Sequence, residues 1–133
     1  MIGASLHPET SGIENDIMES FEPGVVIPHA NHYGGYAGDH ICVNAGVGRK
    51  DMDTTVFHTF AMLWDDTGYT FYIDGEEDGH ADGPISGVPE FILISTEAGG
   101  YRSADHRPTE EAKAAAAAGD TFLVDYVRVF DEM

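Results

Sequence analysis

The sequence is short of positive charge. Six Lys and Arg stand against 24 Asp and Glu in 133 residues, a formal net charge of −18. Lysine occurs only at Lys50 and Lys113. Such a surface repels a phosphate backbone, so nucleic acid is excluded as a partner. The acids run from Glu9 to Glu132 and form no tail. Dispersed acidity with scarce lysine is the composition expected of a halophilic protein, where concentrated salt screens self-repulsion. Cysteine is almost lacking: Cys42 alone cannot close an internal disulfide and leaves the redox compartment open. Long apolar runs are lacking too. Val25-Val26-Ile27 is far too short to span a bilayer, so no membrane partner is expected. Met1 is followed by neither a basic region nor an apolar run, so no signal peptide is visible. The abrupt start leads us to expect a piece of something longer.

What is present is enough to build a core. Hydrophobic residues make up 42%, with seven Phe, six Tyr and one Trp, and the 16 glycines point to a turn-rich β protein. The length implies one domain, residues 1–133. Strands are expected at residues 13–21, 25–33, 40–44, 56–64, 69–73, 76–80, 91–95 and 122–130. Asp74-Gly75 is a two-residue hairpin signal. One short helix is expected at 109–118. Acids sit at its start, where the helix dipole is positive, and Gly119 lies just past its end.

The chemistry-bearing stretch is Gly12-Ile13-Glu14-Asn15-Asp16-Ile17-Met18-Glu19. Strand side chains alternate with a period of two, so Glu14 and Asp16 share a face and Asn15 points the other way. A single β-bulge at Ile17-Met18 would bring Glu19 to the same face. Cleavage of a glycosidic bond needs one protonated and one ionised carboxyl, and closely spaced acids favour that division. The competing reading is that three acids in six residues arise from an acid-rich composition alone. Asn15, on the inner face, needs hydrogen-bond partners.

Further along, the order of motifs adds to this. Glu14-Asn15-Asp16-Ile17-Met18-Glu19 resembles the E-x-D-x-x-E signature of glycoside hydrolase family 16. Phe57-His58-Thr59-Phe60-Ala61-Met62-Leu63-Trp64, Tyr69-Thr70-Phe71-Tyr72-Ile73-Asp74-Gly75 and Asp125-Tyr126-Val127-Arg128-Val129-Phe130 are similar to later strands of that family, in the same order. The resemblance implies an all-β fold, a concanavalin A-like β-jelly-roll sandwich of antiparallel sheets, here truncated, with one short helix. It implies a retaining endo-β-glycanase acting on a β-1,3 or mixed-linked β-glucan, and hence an extracellular setting. Glu14 would be the nucleophile, Glu19 the acid and then the base, and Asp16 would hold the nucleophile. Trp64 would lie under a sugar ring. Asn15 stands where the family has an apolar residue, and Gly35 departs from its H-(W/Y)-D-G-Y pattern. The strands that precede the acid motif in the family are absent. Uncovered apolar strands would then favour a homodimer. The alternative is a carbohydrate-binding or non-catalytic fragment that keeps a relic acid triad.

Other residues are candidates for contacts. His32 and Asn31, on the strand after the acids, could reach the acid pair or sugar hydroxyls. Glu97 could border the same cleft. His58, Phe60, Met62 and Trp64 share one face by parity. His29, His32 and His40 are spaced too loosely for zinc and have no thiolate among them, so no metal site is expected. Asp125 matches a family position that contributes to a structural calcium. Its usual partners lie in the absent part, so no cofactor is expected.

The charge generates a prediction. Repulsion between exposed charges reaches about 10 Å at 0.1 M salt and about 3 Å at 1 M. The melting temperature, followed by scanning calorimetry, should rise across that range of sodium chloride. A melting temperature that stays level would remove the halophilic reading.

Overall fold

The computed structural model describes residues 6–22, 25–27, 29–36, 38–46, 48–49, 52–53, 55–96, 109–119 and 121–131. The elements are β1 (Glu14–Asp16), β2 (Glu19–Glu22), β3 (Val25–Ile27), β4 (Ala30–Tyr33), β5 (Ile41–Asn44), β6 (Phe60–Asp65), β7 (Gly68–Ile73), β8 (Glu76–Ala81) and α1 (Glu110–Ala118). Contacts divide the chain into two units, Met1–Glu90 and Phe91–Met133, where length alone implied one domain.

All ladders are antiparallel, and with one short helix among the described residues the protein is of the all-β class expected. In the first unit one sheet has the order β1-β4-β5, and the β2-β3 ladder continues its outer pair beyond Ile17-Met18. The second sheet is β6-β7-β8. Its centre is β7, where Tyr69, Phe71 and Ile73 are fully buried at alternate positions. Burying each such side chain contributes on the order of 1.5–3 kcal/mol. Ile13, just before β1, and Ala45, just after β5, pack with Tyr69, Phe71 and Ala81, and Ile17, Tyr33, Met62 and Ile85 flank them. His29 stacks on Phe71, with ring centroids 4.7 Å apart.

Two bulges shape these sheets. Phe71 faces Gly79 and Tyr72 faces Glu77, so Asp78 is an extra residue on β8. The Asp78 side chain points inward and is 5% exposed. Its carboxylate accepts the Gly48 N–H at 3.0 Å and lies 3.6 Å from His29 Nε2. Beside it, a Cβ on Gly79 would lie 1.6 Å from the Ala45 carbonyl oxygen. Only glycine allows the backbones to approach that closely. The second bulge corrects an expectation. Asp16 faces Ala30 and Glu19 faces Ile27, equal steps on both strands, so no residue is inserted at Ile17-Met18. The ladder is interrupted there, with Ile17 packed against the core, and the register shift comes later, between Glu19 and Glu22.

The second unit departs from expectation. Residues 91–96 and 121–131 are not in strands, and α1 is the one regular element among its described residues. Phe91, Leu93, Val129 and Phe130 are exposed, the last at 85%. Apolar and β-branched residues supply strand propensity, but a strand forms only against a partner edge, and none pairs with these segments among the described residues. The helix matches its sequence signals. Thr109 accepts the Ala112 N–H at 3.1 Å, and Gly119, at φ 85°, ends it in the left-handed region.

The hairpin at Asp74-Gly75 carries a titratable clasp. Both residues have positive φ, 53° and 81°, which matches the twist of the flanking strands. Asp74 accepts the Thr59 N–H at 2.9 Å and meets His58 Nδ1 at 2.8 Å. That contact with Asp74, then one with the Asp53 carbonyl, holds the His58 imidazole above its ordinary pKa. His58, then the Thr59 N–H, holds the Asp74 carboxyl below its ordinary value. The imidazolium stabilises the fold fully below about pH 6.5 and ceases to as pH rises through its raised value. The carboxylate stabilises it above about pH 3.9 and ceases to as pH falls through its lowered value. Burial pushes His29 the other way, which favours unfolding in acid, but equally in any His58 variant. The melting-temperature gap between wild type and His58→Gln should therefore be widest near about pH 5 and narrow by about pH 8. An equal gap at both pH values would mean that the ring acts by shape and not by charge.

Candidate acid site

The acid face is built by register. Glu14 faces His32 across β1-β4, and His32 faces Cys42 across β4-β5, so the three form one row over the first sheet. Asp16 lies two residues along β1 on the same face. Its Oδ2 is 2.9 Å from His32 Nε2, with both side chains 16% exposed. His32 Nδ1 is 2.8 Å from His40 Nε2, and the two rings are 5.0 Å apart and nearly parallel. A neutral His32 that donates to Asp16 through Nε2 therefore accepts from His40.

Tyr36 completes the group. Its hydroxyl donates to Glu14 Oε2, and its ring lies 4.9 Å from that of His40. The turn that places it begins at Gly34, φ 80°, where a Cβ would lie 2.1 Å from the Asp39 carbonyl oxygen. Cys42 Sγ lies 3.8 Å from His32 Nε2. Burial, then the charges of Asp16 and of Glu19, push its thiol pKa up. The charges of Asp16 and Glu19 both act on this sulfur.

The remaining expected contacts fall elsewhere. Asn31 is 1% exposed and its amide donates to Asn15 Oδ1. Asn31 faces Asn15 in register, so alternation sends both away from His32, and Asn31 cannot touch a sugar on the acid face. Trp64 is 38% exposed and its ring lies 5.9 Å from that of Tyr69. Glu97 lies outside the described residues. Asp125 is exposed in the second unit. Among the described residues no group of three His, Cys, Asp or Glu side chains is arranged to hold a metal ion. No helix among them is long and apolar enough to cross a membrane. A depression of about 570 Å³, lined by His7, Pro8, Glu9, Thr10, Pro84 and Ile85, includes none of the three acids.

Tyr36, His40 and Cys42 were not read from the sequence as neighbours of the acids. The signal for Cys42 was there, because His40 and Cys42 share parity on one strand. It becomes usable only once the β4-β5 register is known.

The action of Asp16 and Glu19 on Cys42 can be tested at the sulfur. Asp16→Asn and Glu19→Gln should each lower the pKa of the Cys42 thiol, read from the pH dependence of its alkylation rate. If Glu19→Gln leaves that pKa where it was, Glu19 does not face the group.

Comparison of the chain with protein-family models, with curated proteins and with solved structures finds no match.

Proposed function

We propose that the Glu14–Asp16–Glu19 face is the catalytic face of a retaining endo-β-glycanase of jelly-roll type, acting on a β-1,3 or mixed-linked β-glucan. The observation that carries the reading is that Glu14 and Asp16, alternate residues of β1, each meet a ring from the β4–β5 side, Tyr36 and His32. The substrate rests on the resemblance of the sequence motifs. A polymer of this kind places the work outside the cell.

In this mechanism a Glu14 oxygen attacks the anomeric carbon while Glu19 protonates the departing glycosidic oxygen. Water then enters with Glu19 as base and releases the sugar from Glu14, with configuration retained. The mechanism requires the two carboxyls roughly 5–5.5 Å apart. Tyr36 fixes one oxygen of Glu14 and leaves the other for attack. His32 holds Asp16 between the two. Trp64, partly exposed, is the aromatic plane available to stack on a sugar.

A second reading is favoured by one observation. The depression described above includes none of the acids, and carbohydrate binding without turnover needs no enclosed cleft around them. Reducing-sugar release from a panel of β-glucans, at low and at high salt, separates the two. Under the hydrolase reading wild type releases sugar, and Glu14→Gln and Glu19→Gln each lose on the order of 10²–10⁴-fold in rate. Tyr36→Phe loses less, because it removes a contact and no reacting group. Near wild-type turnover in either Gln variant overturns the assignment. Binding without release favours the second reading.

A further inference from the structure

Beneath the acid face lies a polar chain that the proposed chemistry does not use. Asn15 sits between Glu14 and Asp16 and points to the other side of the sheet. Its Nδ2 donates to Glu90 Oε2 at 3.0 Å. Glu90 Oε1 accepts the Ile13 N–H at 2.9 Å. Asn15 Oδ1 accepts from Asn31 Nδ2. The Asn15 side chain also bonds to the Tyr69 hydroxyl, which accepts the Ser86 N–H at 2.7 Å. One carboxylate thus holds both the backbone entering β1 and the side chain at its centre.

The place of β1 makes this matter. It is three residues long and, among the described residues, pairs only with β4, so it has few ladder bonds of its own. Short strands with few ladder bonds open locally at low free energy. Catalytic groups need placement to within about 0.5 Å, and a displacement of about 1 Å can lower a rate by about 10²-fold. Glu14 and Asp16 inherit whatever placement β1 has. We infer that Glu90, acting through Asn15, is a positioning residue for the catalytic acids, with its carboxylate adding to the few ladder bonds of β1. This rests on the hydrolase reading above.

The directions of the bonds supply a test. In Glu90→Gln an amide nitrogen faces the Asn15 nitrogen, donor against donor, and relief requires the Asn15 and Asn31 amides to turn over together. In Asn15→Asp two carboxylates face each other. Combining the two restores the bond between 15 and 90 in reverse and keeps the others: Gln at 90 accepts from Ile13 and donates to Asp at 15, which accepts from Asn31 and from the Tyr69 hydroxyl. We expect each single variant to lose about 10- to 100-fold in kcat with KM little changed, and the double variant to recover most of it. Near-ultraviolet circular dichroism confirms that the variants are folded. If Glu90→Gln does not fold, Glu90→Asp, which keeps the charge but not the reach, replaces it. Amide exchange at Ile13 and Asn15 needs no substrate and should quicken in the single variants and slow again in the double. Wild-type kcat in Glu90→Gln, or a double variant no better than the singles, overturns the positioning role. A wild type that releases no sugar from any glucan, with the exchange pattern intact, overturns the hydrolase reading and the catalytic role with it, and leaves Glu90 as a structural clamp.

Discussion

The first unit depends on the burial of β7. Tyr69, Phe71 and Ile73 are withdrawn from water, and residues of both sheets meet on them. Tyr69 links this apolar contact to the polar layer above it, since its hydroxyl reaches Asn15 and Ser86. The packing that stabilises the unit therefore also sets the height of the acid strand. The acids stand on the outer face of a sheet whose inner face is pinned to the most buried strand of the unit.

Electrostatics imposes the second constraint. With six bases for 24 acids, most carboxylates must find partners other than Lys or Arg. The structure uses uncharged donors. Asp53 takes the Thr55 N–H and hydroxyl, Asp65 those of Thr67, Asp78 the Gly48 N–H and Glu90 the Ile13 N–H. Arg49 is an exception, meeting Glu76 at 2.7 Å. Hydrogen bonding of this kind satisfies a carboxylate without neutralising it, so local order and a large net charge coexist.

Much of this architecture was legible in the sequence. Asp74-Gly75 and Thr109 with Gly119 carry their conformations locally, and the hairpin and helix formed where expected. The common face of Glu14 and Asp16 followed from a period of two. What needed long-range information was not legible. A bulge at Ile17-Met18 is expected from the spacing of the acids, whereas the two strands keep step there and the ladder breaks instead. Asn31 was grouped with His32 because they are adjacent, although alternation separates them. The segments 91–95 and 122–130 have strand composition, but composition cannot supply an edge to pair with. Glu90 could not be found at all without the fold, because it lies 75 positions from the amide it holds.

That separation has an evolutionary consequence. Asn15 and Glu90 form one donor–acceptor unit, so a change at either site leaves a polar group facing the wrong partner. An amide at 15 makes sense only while a carboxylate stands at 90, and a lineage that loses the carboxylate recovers most simply by making position 15 apolar. The two positions should therefore change together or not at all.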